Sequence, residues 1–176
     1  ESNDFATVLM DRNGDSISEN TGGIASFSCI LPKTTKTFLE RFPAETWQPG
    51  DCVITNDPWL ATGHLPDFTA VSPIFHKGRL VGFAGSISHS PDVGGALWSA
   101  DCRELFEEGI RIPVMRICRA GELDEDLLAM IAHNSREPVE KGGWSAICKR
   151  CDAAMTVHGS GRTLICHHCG ARGHRP

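Results

Sequence analysis

Two strand-like apolar runs flank Asp11-Arg12-Asn13-Gly14-Asp15 near the start of the chain, and the Asn-Gly pair favours a tight turn, so residues 4–18 read as a β-hairpin. Gly22-Gly23 breaks the pattern. Phe38, Leu39 and Phe42 recur at helical spacing after a Thr-rich start, which predicts a short helix over residues 33–42. Gln48-Pro49-Gly50-Asp51 reads as a turn before a strand, Cys52 to Thr55. A long polar loop from Asn56 to Asp67 leads to a strand from Phe68 to Phe75. His76-Lys77-Gly78 turns the chain into another strand, Leu80 to Ile87. A second Gly-rich loop covers residues 88–103, Ile110 to Ile117 is strand-like, and a helix follows Gly121 and runs to about Asn134. Leu127, Leu128 and Ile131 form that helix's apolar stripe, and acidic residues sit at its positive N-terminal end. These elements predict an α+β, β-rich domain. There are no internal repeats and no low-complexity tract.

Composition sharpens the organisation rather than the fold. The 176 residues carry 40% hydrophobic and 22% charged side chains, as ordinary globular chains do. The net charge of −5 is unevenly spread. Residues 139–176 hold six basic and two acidic residues, so the remainder carries −9. This shift places a boundary near 139–147 and predicts a first domain over 1–140 and a small module over 141–176. The opening stretch is strand-like with no basic segment before it, which argues against a signal peptide. No apolar run reaches membrane-spanning length, and the expected compartment is the cytoplasm.

The cysteines divide along the same boundary. Cys29, Cys52, Cys102 and Cys118 stand singly among apolar neighbours and read as reduced, mostly buried thiols. Cys148-Lys149-Arg150-Cys151 and Cys166-His167-His168-Cys169 form two CxxC turns separated by 14 residues. Each CxxC presents two thiolates, and four thiolates close a tetrahedral Zn²⁺ site with no position left for chemistry. Met155 to His158 and Arg162 to Ile165 are strand-like around Gly159-Ser160-Gly161, which predicts a hairpin. A redox role for CxxC requires a thioredoxin-like surround, and this sequence has none. The predicted tail is a zinc ribbon with structural Zn²⁺ on Cys148, Cys151, Cys166 and Cys169.

The first domain holds a different constellation. His64-Leu65-Pro66-Asp67 sets an imidazole and a carboxylate three residues apart across a Pro-stiffened turn, and Ser88-His89-Ser90-Pro91-Asp92 repeats the theme at the end of a later strand. Such His/Asp sets suit Zn²⁺ or Mn²⁺ and leave a position open for water or substrate. The same residues also suit unrelated surface turns.

Several motifs stand in register with one family. Ser2-Asn3-Asp4-Phe5, Asn56-Asp57-Pro58, Gly63-His64-Leu65-Pro66-Asp67 and Val71-Ser72-Pro73-Ile74-Phe75 resemble its signature run, as do His89 and Asp92-Val93-Gly94-Gly95. Glu107-Glu108-Gly109-Ile110-Arg111-Ile112-Pro113 and Asn134-Ser135-Arg136-Glu137-Pro138 match in type and order. Over about residues 1–138 the chain resembles the hydantoinase B family, which includes 5-oxoprolinases and acetone carboxylase α subunits. The resemblance implies a metal centre ligated by Asp4, His64, Asp67 and His89, with Asp57 and Asp92 assisting catalysis by orienting the histidines. It also implies an ATP-using, hydantoinase A-type partner subunit that phosphorylates a small cyclic amide or ketone before the metal subunit acts. Family members are several times longer, so the chain is expected to be an incomplete catalyst. Trp59-Leu60-Ala61-Thr62 departs from the family's usual Gly-rich stretch.

Residues 144–170 resemble the zinc-binding region of the primosomal replication-restart helicase, primosomal protein N′. Only that region's inner CxxC pairs are present, and none of the helicase's nucleotide-binding motifs is. The resemblance supports a second class of reading, in which a basic ribbon contacts nucleic acid or a replication protein. Trp144 is the tail's one aromatic residue, which gives little for bases to stack on. The leading expectation is a metal-dependent hydrolase subunit fragment joined to a zinc ribbon; a fusion, a recombinant or a misassembled reading frame would each produce such a join.

Overall fold

The computed structural model describes residues 4–96 and 99–136, together with four short backbone strands over 146–147, 154–157, 163–165 and 172–174. The chain divides into two compact units, Glu1–Arg136 and Glu137–Pro176.

The first unit is built on one antiparallel sheet. β1 (Phe5–Asp11) and β2 (Ser16–Glu19) form the expected hairpin. Its turn differs from a two-residue Asn-Gly turn. Only Gly14 of that pair takes positive φ, at 81°, and the Asp11 carboxylate accepts the amides of Asn13 and Asp15 at 2.8 and 2.9 Å. β3 (Cys52–Thr55), β4 (Asp67–His76), β5 (Arg79–His89), β6 (Met115–Arg119) and β7 (Glu122–Leu123) complete seven strands in the order β2-β1-β5-β4-β3-β6-β7.

α1 (Ala25–Arg41) lies on one face of β1 and β5. It starts eight residues before the expected helix, and Pro32 lies inside it. Proline removes a helical hydrogen bond, yet here the helix continues because Phe27, Leu31 and Phe38 seal the sheet. They pack with Ala6, Val8 and Met10, the alternate inward positions of β1, and with Trp47, Phe83 and Ile87. Each such large side chain contributes about 1.5–3 kcal/mol on burial. Gly85 makes the close approach of α1 possible: a Cβ there would stand 2.8 Å from Leu31 Cδ2.

On the opposite face, Ile54, Leu65, Phe68, Val93, Ile112, Ile117, Leu127 and Ile131 form a second core. α2 (Leu105–Glu108) is a single turn, and α3 (Glu125–His133) supplies Leu127 and Ile131. Asp124 caps α3 by accepting the Leu127 amide at 2.9 Å. The strand expected over 110–117 begins only at Met115. Pro113 has no amide to donate, and the backbone of Ile110 and Ile112 is bonded to the Thr55–Asn56 corner instead of a neighbouring strand. The single cysteines are free, but the burial expected of them does not hold: Cys29 is exposed on α1, and Cys52, Cys102 and Cys118 are partly covered. Burial pushes the Cys52 thiol up, as it does the Cys118 thiol.

In the second unit, β8 (Ala146–Ile147), β9 (Ala154–Val157), β10 (Thr163–Ile165) and β11 (Arg172–His174) pair in the order β11-β10-β9-β8. β9 and β10 are antiparallel, with Leu164 opposite Val157 and Ile165 opposite Thr156, as a ribbon hairpin requires. Cys148, Cys151, Cys166 and Cys169 lie outside the described residues.

Candidate metal centre

Three neighbouring strands bring their polar ends to one place. β4 opens with Asp67 and β5 closes with His89, and these two residues are direct partners across the ladder. Asp4 immediately precedes β1, and its carbonyl accepts the His89 amide at 3.0 Å. His64 reaches the same place through the turn ahead of β4. The Asp67 amide donates to the His64 carbonyl at 3.2 Å, and fully buried Leu65 anchors the turn.

The side chains converge. His89 Nδ1 lies 2.9 Å from Asp67 Oδ1, and His64 Nδ1 lies 3.5 Å from Asp67 Oδ2. The two imidazoles stack with centroids 5.4 Å apart and planes 17° from parallel. One ligand atom from each of His64, Asp67 and His89 fits within 4.8 Å of the other two. Asp4 stands at the margin, with Oδ2 4.0 Å from His89 Nδ1. Asp67 is 4% exposed, whereas both histidines are partly open to solvent. A buried carboxylate beneath two accessible imidazoles is a donor set that fits Zn²⁺ or Mn²⁺ and leaves the outer side for other ligands.

Asp57 and Asp92 are committed to their own loops. Asp57 Oδ1 accepts the Trp59 amide at 3.1 Å, and its Oδ2 lies 3.4 Å from Arg111 Nε. Asp92 Oδ1 accepts Gly94 N at 3.0 Å and Arg136 Nη1 at 2.8 Å, while Oδ2 accepts the Ser135 hydroxyl and the Arg136 amide. Partial burial works against the charge of Asp92. The Arg136 and Gly94 amides and the Arg136 guanidinium outweigh it and hold the carboxyl below its usual value. These bonds tie Asp57 to Trp59 and Arg111, and Asp92 to Gly94, Ser135 and Arg136.

One residue escaped the sequence reading. Asn56 stands in the Asn-Asp-Pro motif, and its side chain is completely buried. Its Nδ2 donates to Leu65 O at 2.7 Å and Ile110 O at 2.9 Å, and its Oδ1 accepts Ile112 N at 2.5 Å. The advance signal was its place in the Asn56-Asp57-Pro58 motif, which says nothing about distant backbone partners.

Residues 1–152 match the family described as Hydantoinase B/oxoprolinase. The chain belongs to that family. Among curated relatives, this hydantoinase B chain is 41% identical over 93 residues to a 5-oxoprolinase of Pestalotiopsis fici, covering 49% of the chain and 7% of the relative. It is 32% identical over 136 residues to caprolactamase subunit beta of Pseudomonas jessenii, covering 76% of the chain and 23% of that subunit. The crystal structure of the ATP-dependent caprolactamase from the same organism superposes with a TM-score of 0.70 at 27% identity, over 77% of this chain and 24% of that one. Similarity to the acetophenone carboxylase delta subunit of Aromatoleum aromaticum, 30% over 176 residues, extends through 97% of the chain and 24% of the relative. The chain thus spans a quarter or less of the curated relatives it matches. Residues 148–172 separately match the Cys-rich region domain described for PriA DNA helicase. Among the described residues, no helix is long and apolar enough to cross a membrane.

Proposed function

We propose that this chain is the metal-holding part of a subunit of an ATP-dependent cyclic-amide hydrolase. The observation that carries the proposal is the convergence of His64, Asp67 and His89 within a chain of the hydantoinase B/oxoprolinase family. Relatives named as a 5-oxoprolinase and as a caprolactamase subunit both point to lactams as the substrate class.

His64, Asp67 and His89 would hold the ion, with Asp4 as a further oxygen donor beside His89. A divalent ion supplies Lewis acidity toward a carbonyl or carboxyl oxygen when bound there. Asp67 fixes both imidazoles from below and keeps their rings parallel. The Pro66 carbonyl accepts the Ser90 amide at 2.7 Å and locks the two ligand-bearing loops together. Opening a cyclic amide is uphill near neutrality for a five-membered lactam. An ATP-using partner subunit therefore activates the substrate, and the metal-holding chain receives the activated species. The walls that position the substrate and exclude water come from outside residues 4–136.

The tail is proposed to hold one structural Zn²⁺ on Cys148, Cys151, Cys166 and Cys169, supported by the zinc-ribbon family match. The test of function is hydrolysis of 5-oxoproline, caprolactam or a hydantoin with ATP, comparing the chain alone with the chain plus an ATP-using subunit. Turnover that requires the partner and disappears in His64→Ala is expected. Partner-dependent turnover unaffected by His64→Ala would refute the assignment of the site.

A further inference from the structure

We propose that Asn56 is a positioning residue of the metal centre, a buried clamp that fixes His64 and Asp67 by holding the loop that carries them. The inference rests on the metal-site reading above and names what sets its geometry.

Asn56 directly follows β3 and starts the loop that returns at Asp67. Its carboxamide closes the loop's base, because Nδ2 donates to the carbonyl of Leu65, the residue between His64 and Pro66. The other two side-chain bonds cross to Ile110 O and Ile112 N. The Asn56 amide and the Thr55 hydroxyl both donate to Ile112 O, at 3.3 and 2.8 Å. Three separate segments (the end of β3, the ligand loop and the strand-free approach to β6) are thereby tied at one fully buried point. Between the two clamped residues, Arg111 lies 3.4 Å from Asp57 and secures the start of the loop beside Asn56. Thr34 Oγ1 of α1 holds its middle through Leu60 O at 2.9 Å.

Loss of the Asn56 amide leaves Leu65 O and Ile110 O buried without a side-chain donor, so the loop must shift to recover partners. His64 adjoins Leu65 and has the shortest path to that shift.

The test measures Mn²⁺ affinity and the electron paramagnetic resonance spectrum of bound Mn²⁺ in the full chain, because thiolates of the tail compete poorly for this ion. Asn56→Ala removes all three bonds. Asn56→Asp keeps the shape and the acceptor and covers the case in which the first variant does not fold. Asp51→Ala is the comparison, since Asp51 is equally buried and bonded to Gln48 N, Ala120 N and Arg116 away from the loop. The folded Asn56 variants should bind Mn²⁺ about 10- to 100-fold more weakly with an altered spectrum, the range seen when outer partners of metal ligands are removed. Asp51→Ala should lower stability and leave affinity unchanged. Wild-type affinity and spectrum in folded Asn56 variants would overturn the assignment of Asn56 alone. Equal affinity in wild type and His64→Ala would overturn the site itself.

Discussion

Asp67 begins β4 with its carboxylate buried beneath two imidazoles, so a single side chain sets the distance between His64 and His89. Asp67→Asn keeps the volume but replaces one acceptor oxygen with a donor. Mn²⁺ affinity is expected to fall by more than the about 10- to 100-fold typical of outer-partner loss, with the far-ultraviolet circular dichroism unchanged. Asp92 behaves differently. Its carboxyl is held below its usual value, so its contribution is fully present above the unfolded value of about 3.9 and is lost as pH falls through the lower folded value. Asp92→Asn should therefore lower the melting temperature near pH 7, and the gap to wild type should close as the pH drops into that acidic window. A gap that stays constant with pH would show that the charge of Asp92 does not hold Arg136. His64, Asp67 and His89 could be picked out together in the sequence because Pro and Gly residues beside them mark a turn and two strand ends, and the fold brings the three side chains to one place. The pairing of Asp57 with Arg111 and of Asp92 with Arg136 was not legible, because both arginines are remote in sequence and only folding brings them near.

At the level of elements, strands were read well and helix limits poorly. β3 matches the expected residues, and β4 and β5 each extend beyond expectation to include Asp67 and His89, the residues on which the site depends. α1 was read too short because Pro32 argues locally against helix, whereas the sheet face under Phe27 and Leu31 decides otherwise. The reverse happened before β6, where apolar spacing suggested strand but Pro113 and the Asn56 clamp took the backbone bonds. Two glycines of β5 give a sharp contrast. A Cβ at Gly82 would stand 2.3 Å from the Met10 carbonyl, a backbone obstacle, and at Gly85 it would meet only the ends of the Leu31 and Met10 side chains at 2.8 Å. Gly82→Ala should cost about 1–3 kcal/mol in denaturant unfolding and part β1 from β5, carrying Asp4 away from His89. Gly85→Ala should cost less, because flexible side-chain ends can yield. The opposite ranking would show that β1 and β5 are not packed as described.

At the level of the whole molecule, the charge shift near residues 139–147 and the division of compact units after Arg136 fall close together, while the family match runs on to residue 152. The pairing of β9 with β10 appears in the backbone, and under the proposed function the tail's stability comes from zinc, as small modules commonly need a metal to hold together. Chelation, or Cys166→Ser, should abolish the tail's structure and leave the unfolding transition of residues 4–136 in place. His64, Asp67 and His89 are proposed to form a metal centre distinct from the four cysteines. Elemental analysis of the purified full chain, equilibrated with Zn²⁺ and freed of excess ion, tests it most directly. Wild type should carry two ions per chain, His64→Ala/His89→Ala one, and Cys148→Ser/Cys166→Ser also one. Two ions retained by the folded double-histidine variant, or a single ion in wild type that is lost only with the cysteines, would rule out a metal centre on His64, Asp67 and His89.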